Sequence, residues 1–269
     1  MALVRGFMLV PGELNGNRAM FVVDTGAEAT MVTPQAATEF GLDRDHFNRT
    51  IIHGIGGQIT TFNARVTSFG IGNQELLDRG VAVGPLPNVP ATNPPIAGLL
   101  GADYLSDYDL DLDVPRRTLT LYSMDGCGDN FVPPWHLARS IVPIRREHKD
   151  LLMLDVMVDG ERIDAMFDSG ARVTTLSASA AGRLGIDEVA MAHDRSITQS
   201  GVDRNAVSGH VHQFDQVQVG REVFHDPHLE VAALMLPNAE MLLGADYLRT
   251  RHIWVSYTAH KLFIAPPGQ

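Results

Sequence analysis

A short acidic motif occurs twice in this chain, and the two copies lie 144 positions apart. The copies are Asp24-Thr25-Gly26-Ala27 and Asp168-Ser169-Gly170-Ala171, each after an apolar run. The residues after them also correspond, as at Thr30 and Thr174, Thr33 and Ser177, Gly41 and Gly185, and Asp43 and Asp187. A single three-residue pattern arises easily by chance, whereas two copies at a constant offset within a longer repeat indicate a duplicated folding unit.

A second pair of matching blocks supports the duplication. Residues 99–105 and 242–248 agree almost letter for letter, at an offset of 143. Between the two halves, residues 124–140 are rich in glycine and proline, which is typical of a linker. We therefore predict an N-terminal lobe at 1–123, a linker at 124–140 and a C-terminal lobe at 141–269.

Composition excludes several classes of function. The 269 residues are 45% hydrophobic, enough for two sizeable cores, and the net charge of −11 argues against a nucleic-acid partner. No apolar run is long enough to cross a membrane. Cys127 is the only cysteine, so no internal disulfide forms. The N-terminus lacks a signal-peptide core, which favours the cytoplasm for the sequence as given, or the periplasm if a leader was removed.

Local signals predict mostly strands. Asn15-Gly16 and Asp159-Gly160 are hairpin turns, and Thr33 caps a short helix that ends at Gly41. Further strands are predicted at 3–10, 18–24, 59–66, 108–112, 119–122, 152–158, 162–168, 253–255 and 261–264, with helices at 34–40 and 178–184. The proline-rich segment 85–95 is predicted to be an exposed loop.

The duplicated motif suggests a specific chemistry. An acid followed by Ser or Thr and Gly places a carboxylate on a tight turn, and the hydroxyl can hold that turn by bonding nearby backbone. If a pseudo-twofold axis relates the halves, Asp24 and Asp168 meet there and share one proton. The ionised carboxylate can then take a proton from water while the protonated one hydrogen-bonds a scissile carbonyl.

These motifs resemble the aspartic proteases of the pepsin and retropepsin clan, most closely a bacterial retropepsin-like enzyme with both lobes fused. The resemblance implies a mainly β, bilobal fold of two pseudo-twofold-related β-barrel lobes with short helices. It implies Asp24 and Asp168 as the catalytic dyad, and Thr25, Gly26, Ala27, Ser169, Gly170 and Ala171 as support of the active-site turns. The glycine-rich segment at Gly54, Ile55, Gly56 and Gly57 resembles a retropepsin flap tip, and Gly201 marks a second, more polar flap.

Departures from the family pattern carry expectations of their own. Ala27 and Ala171 lack the hydroxyl of pepsin-like enzymes, so the dyad pKa values should be higher and the activity optimum mildly acidic to neutral. Ala102 and Ala245 stand where retroviral enzymes usually have Arg, so that bracing ion pair is absent. The flaps differ, and we expect only the first to close fully over a substrate.

Other residues have less specific interpretations. Asp103 and Asp246 are expected to be structural caps, and the alternating acids from Asp107 to Asp113 a half-exposed strand rather than a calcium loop. The histidines fit no zinc spacing, so no metal site is predicted: His210, His212, His225 and His228. The apolar residues Ile55, Val32 and Leu176 are candidate substrate pockets.

The sequence thus predicts an aspartic endopeptidase that needs no cofactor and binds an extended peptide or protein substrate. A monomer is favoured, since both half-sites occur in one chain. Pairing of each lobe with another chain would give a dimer, and a non-catalytic peptide-binding module on the same fold is the main alternative. The short segment before the first strand leaves no room for a long inhibitory pro-segment, so activity without processing is expected.

Overall fold

The computed structural model describes residues 1–123, 131–137, 139–203, 205–236 and 238–268. The structure describes the predicted linker only in part, because residues 124–130, which include Cys127, and residue 138 lie outside these ranges. Residues 131–137 and 139 form neither helix nor strand. The lobe boundaries at 123 and 141 therefore stay predictions.

Strands dominate, as the sequence predicts, and every helix in the described ranges is short. The first half contains β1 (Ala2–Val4), β2 (Phe7–Leu14), β3 (Asn17–Val23), β4 (Met31–Val32), α1 (Pro34–Glu39), β5 (Asp43–Gly54), β6 (Gly57–Ile71), β7 (Gln74–Val83), β8 (Ile96–Leu100), α2 (Ala102–Leu105), β9 (Asp109–Asp113) and β10 (Thr118–Tyr122). The second half contains β11 (Ser140–Pro143), β12 (Arg145–Arg146), a 3-10 helix (His148–Asp150), β13 (Leu152–Val158), β14 (Glu161–Phe167), β15 (Thr175–Ser177), α3 (Ala178–Arg183), β16 (Arg195–Ser200), β17 (Ala206–Gln213), β18 (Gln216–Val219), β19 (Glu222–His225), β20 (His228–Ala232), β21 (Met241–Leu243), α4 (Ala245–Leu248), β22 (His252–Ser256) and β23 (Lys261–Ala265).

The two halves build sheets of the same topology. The first sheet has the order β1-β2-β3-β8-β4-β7-β6-β5, and a further pairing of β2 with β6 curls it back on itself. The second has the order β16-β17-β20-β15-β21-β14-β13-β18-β19. Seven consecutive strands of the first sheet, from β2 to β5, thus have counterparts in the same order in the second. Each half is mainly β, and the fold is bilobal, as expected from the duplicated sequence.

A third sheet joins the halves. Its order is β10-β9-β22-β23-β11, so strands from the end of the first half pair directly with strands from the end of the second. Trp254 is buried in it and donates from Nε1 to Asp109 Oδ2 at 3.1 Å. This sheet therefore joins the two halves of the chain through backbone pairing.

Local signals explain the turns and caps. Asn15-Gly16 and Asp159-Gly160 both adopt positive φ, which the two-residue hairpin turn requires. Thr33 accepts a hydrogen bond from Ala36 N, and Ser177 accepts one from Ala180 N. The same chemistry therefore starts both matched helices. No helix in the described ranges is long and apolar enough to cross a membrane.

Four expectations about the fold need correction. A turn at Arg5-Gly6 divides the strand predicted at 3–10. The strand β5 was not predicted, because its polar residues lie on an open ribbon without apolar alternation. The acidic strand β9 is mostly buried rather than half-exposed, since it lies inside the third sheet between β10 and β22, where Asp109 accepts hydrogen bonds from Trp254 and Thr258. The segment 85–95 is only partly exposed, because residues 86–88 line the central cleft.

Candidate active site

Each motif aspartate follows directly after a buried central strand. Asp24 comes after β3 and Asp168 after β14, and both strands pair in parallel with the strand behind them, β8 or β21. The backbone N–H of Asp24 donates to Leu100 O at 3.0 Å, and that of Asp168 donates to Leu243 O at 3.1 Å. The rear strands therefore hold the two loops in equivalent positions.

The two carboxyl groups cross over each other's loop. A Cβ atom added to Gly26 would lie 2.3 Å from Asp168 Cγ, and one added to Gly170 would lie 2.2 Å from Asp24 Cγ. Each carboxyl group therefore occupies the space that the opposite glycine leaves free. The sequence predicted that Asp24 and Asp168 meet between the halves, and the structure brings them together there.

The hydroxyl groups beside the aspartates bond across the pseudo-twofold axis. Thr25 Oγ1 donates to Phe167 O at 2.7 Å and accepts from Ser169 N at 3.0 Å. Ser169 Oγ donates to Val23 O at 2.8 Å and accepts from Thr25 N at 3.0 Å. The prediction that each hydroxyl group holds its own turn is therefore wrong. Both are buried between the loops, where the opposite backbone offers the nearest unpaired groups.

The two carboxyl groups have different surroundings. Asp168 Oδ1 accepts from the N–H groups of Gly170 and Ala171 at 2.8 and 2.9 Å, whereas Asp24 Oδ1 accepts from Gly26 at 3.1 Å. Burial and then the charge of Asp168 raise the pKa of Asp24 well above its ordinary value. Burial also raises the pKa of Asp168, and N–H donors oppose the effect of burial at both carboxyl groups, joined at Asp168 by the hydrogen bond from Asp24. These surroundings favour the charged form of Asp168 more than that of Asp24.

Two threonine–aspartate pairs brace the loops from behind. Asp103 Oδ1 accepts from the N and Oγ1 of Thr30 at 2.6 and 2.7 Å, and Asp246 Oδ1 accepts from those of Thr174 at 2.9 and 2.7 Å. We expected both aspartates to be structural caps after the rear element. Neither makes a side-chain cap at the start of the helix, and both instead tie the active-site loop to the rear element. The repeat contains Thr30 and Thr174 as matching positions, which is the signal that could have shown this.

A cavity of about 470 Å³ lies over the dyad, between the loops and two hairpins. Of the three predicted pocket residues, Ile55 lines this cleft, but Val32 and Leu176 do not and are buried in the core. Successive side chains of a strand point to opposite faces. Consequently Met31 and Thr175, one position earlier, face the cleft instead.

Two hairpins lie over the cleft, at the segments where the sequence predicts the flaps. The first is β5–β6 with Ile55-Gly56 at its tip, and the second is β16–β17. Gly54, Ile55 and Gly201 line the cleft, while Gly56 and Gly57 form the turn beside Asn205. Asn205 Nδ2 donates to Gly56 O at 3.0 Å.

Further contacts seat the tip of the first flap. Met235 N donates to Ile55 O at 2.8 Å, and Asp203 is buried against Gly54 and Gly56. The roles of Asp203 and Asn205 were not predicted, since no local pattern shows which residues meet across two hairpins. Whether only the first flap closes fully stays a prediction.

Glu28 forms a second unpredicted contact at the cleft. Its Oε1 lies 3.0 Å from His53 Nδ1 on the first flap, and Lys149 Nζ donates to its Oε2 at 2.5 Å. One buried carboxylate thus links an active-site loop, a flap and the second half of the chain. Among the described residues, no cluster of three His, Cys, Asp or Glu side chains could hold a metal ion. Of the candidate ligands, His212 instead pairs with Asp194, Nδ1 to Oδ2, at 2.6 Å.

Comparison with protein families gives a match in each half. A family described as "Aspartyl protease" matches residues 10–104, and one described as "gag-polyprotein putative aspartyl protease" matches residues 154–250. The first match contains Asp24 and the second contains Asp168. No curated protein matches the chain. Both halves thus match aspartyl protease families, and the mainly β, bilobal fold is consistent with a two-lobed, retropepsin-like protease.

Proposed function

We propose that the protein is an aspartic endopeptidase in which Asp24 and Asp168 form one catalytic dyad within a single chain. The observation that carries this proposal is the crossed packing of the two carboxyl groups over Gly26 and Gly170. Two carboxyl groups in such close contact cannot both ionise, so they share a proton. The family matches in both halves support an aspartic protease function of this kind.

The different surroundings of the carboxyl groups suggest a role for each. Asp168, with two N–H donors, is the carboxylate that takes a proton from the attacking water. Asp24, with the higher pKa, donates a hydrogen bond to the scissile carbonyl. As the water attacks, the proton of Asp24 passes to the carbonyl oxygen, which gives a tetrahedral diol. The proton taken up by Asp168 then moves to the leaving nitrogen as the C–N bond breaks, and a hydroxyl of the diol returns its proton to Asp24. The chemistry uses only these two carboxyl groups and water.

The substrate in this proposal is an extended peptide or protein segment. The cleft lies between two β-hairpins whose tips carry backbone groups able to pair with a strand. The apolar side chains of Met31, Ile52 and Ile55 line the cleft and would contact apolar side chains next to the cut. A monomer suffices, because both carboxyl groups come from one chain.

Cleavage of casein across about pH 3–8 tests the function. We expect activity in the wild type, and a fall of about 10²–10⁴-fold in Asp24→Asn and in Asp168→Asn. A statine-type inhibitor should also block the wild type. Asp107→Asn is the matched control, because Asp107 is exposed and outside the cleft.

Each result has a distinct meaning. A wild type that binds peptides but cleaves none at any pH would favour the non-catalytic binding module. Loss in only one aspartate variant, together with a dimeric mass in solution, would favour pairing of lobes between chains. Raised dyad pKa values also imply an optimum from mildly acidic to neutral, and a maximum below about pH 3 would contradict that expectation.

A further inference from the structure

The two active-site loops carry opposite charges at matching positions. Glu28 is the fourth residue after Asp24, and Arg172 is the fourth residue after Asp168. Both side chains line the cleft. The matching positions therefore present an acidic group on one loop and a basic group on the other, while Glu230, which lines the cleft in the second half, accepts a hydrogen bond from Gln199. A substrate strand running through the cleft passes one loop of each charge.

The negative charge of Glu28 is already neutralised by other residues of the protein. Glu28 contacts both His53 and Lys149, and its side chain is only 10% exposed. Its two carboxylate oxygens are thus occupied by partners from the flap and from the other half. Glu28 has little capacity left for a basic group of a substrate.

The positive charge of Arg172 is not neutralised in the same way. Arg172 is exposed, and within the described ranges no carboxylate forms an ion pair with it. Arg195 also lines the cleft, and it too is without an ion pair in the part of the chain that the structure describes. The cleft thus contains guanidinium groups whose charge is available to a ligand.

Packing holds the Arg172 side chain in place. Its aliphatic part lies over Gly6, in the turn between β1 and β2, where an added Cβ would meet Arg172 Cγ at 3.3 Å. Its guanidinium carbon lies 5.6 Å from the centroid of the Phe7 ring, which also lines the cleft. A guanidinium seated by its stem and by an aromatic ring loses less entropy on binding a carboxylate than a free one does.

We propose that Arg172 is a specificity-determining residue that selects substrates with an acidic side chain on one side of the scissile bond. This inference rests on the proposed endopeptidase function. The fork of Arg172 would bind the Glu or Asp carboxylate through two parallel N–H···O bonds. A pair of this kind in a cleft that excludes part of the water is worth about a factor of ten in kcat/KM.

A peptide series tests the selection. Peptides with apolar residues at the cut carry one Glu, Gln or Lys, scanned singly over the flanking positions. We expect one position at which wild type cleaves the Glu peptide about tenfold better than the Gln peptide at low salt, with a smaller ratio at high salt. The Glu/Gln ratio should fall to about one in Arg172→Ala, and Lys should be preferred in Arg172→Glu. Arg18→Ala, an exposed arginine outside the cleft, should keep the wild-type ratio.

The design separates this inference from the proposed function. A Glu/Gln ratio near one at every position in the wild type, or an unchanged ratio in Arg172→Ala, would overturn the role of Arg172 while cleavage stands. If no peptide is cleaved, the proposed function fails. The same ratios, measured as binding of reduced-amide peptides that resist cleavage, then decide the role of Arg172.

Discussion

The flap strands β5 and β6 have 12 and 15 residues, whereas their counterparts β16 and β17 have six and eight. The active-site loops, in contrast, match in the hydrogen bonds of their hydroxyl groups across the axis and in their threonine–aspartate pairs. Thr25 and Ser169 exchange equivalent hydrogen bonds, and Thr30 and Thr174 meet equivalent aspartates.

The contrast follows from where each region makes its contacts. The two loops bond directly to each other's backbone, so a change in one loop disturbs the other. The two flaps meet at their tips, where Asn205 contacts Gly56, and their strands differ in length. The predictions below test how far the equivalence of the two loops extends.

The largest effect is expected at the two crossing glycines. Gly26→Ala and Gly170→Ala place a methyl group 2.3 and 2.2 Å from the opposite carboxyl carbon, far inside van der Waals contact, so one carboxyl group must move. We expect both to reduce kcat/KM by at least about 10²-fold, because displacement of a reacting group is that costly. Gly182→Ala is the control, since no atom lies within 4 Å of the added methyl group and the helix favours alanine. Normal activity in either loop variant would show that the crossed packing is not required.

Removal of the crossed hydroxyl groups should have the next largest effect. Thr25→Val leaves Ser169 N and Phe167 O unpaired, and Ser169→Ala leaves Thr25 N and Val23 O unpaired. Each variant should lower the free energy of unfolding by roughly 2–4 kcal/mol, measured by urea denaturation. Thr38→Val, at an exposed helical hydroxyl, should change it by less than about 0.5 kcal/mol. A large difference between the two loop variants would contradict the equivalence of the loops.

The two loops should differ at the dyad, and the dependence of the free energy of unfolding on pH measures that difference. A carboxyl group whose pKa is raised in the folded state is destabilising once pH exceeds its ordinary value, because the native state resists losing the proton. Asp24→Asn should therefore stabilise the protein near pH 8 and have little effect near about pH 3.

Asp168→Asn should show a smaller gain, since N–H donors lower the pKa of Asp168. Each unit of pKa corresponds to about 1.4 kcal/mol, so thermal unfolding at several pH values can resolve the two variants. Equal gains, or a larger gain for Asp168→Asn, would reverse the assignment of the proton to Asp24.

The smallest effect is expected at the flap tips. Asn205→Ala removes one hydrogen bond to Gly56 O and leaves the contact of Met235 N with Ile55 O. A single neutral hydrogen bond of this kind contributes about 1 kcal/mol or less at a partly exposed site, so kcat/KM should fall by about threefold. Asn73→Ala, in the turn at the far end of β6, is the control. A loss as large as that of the glycine variants would mean that the flap contact is part of the catalytic arrangement.

Features encoded in short segments were predictable. The hairpin turns at Asn15-Gly16 and Asp159-Gly160 and the cap at Thr33 depend on a few adjacent residues, and the structure has them where expected. The pairing of Asp24 with Asp168 could also be predicted, because duplication implies a pseudo-twofold axis. What the sequence does not show is which surface a polar strand will meet, as with β5 and with the buried acids of β9.

The sequence alone thus determined the mainly β duplicated architecture, the two acidic turns and the approximate position of the hairpin predicted to be the first flap. Periodicity and turn chemistry depend on neighbouring residues, and repetition is found by comparing the sequence with itself, so none of these signals needs the tertiary structure. Only the tertiary structure decided that Thr25 and Ser169 bond across the axis, that Met31 rather than Val32 faces the cleft, and that Glu28 is neutralised while Arg172 is not. These outcomes depend on contacts between residues far apart in the chain, and their partners are set by the way in which the two lobes pack.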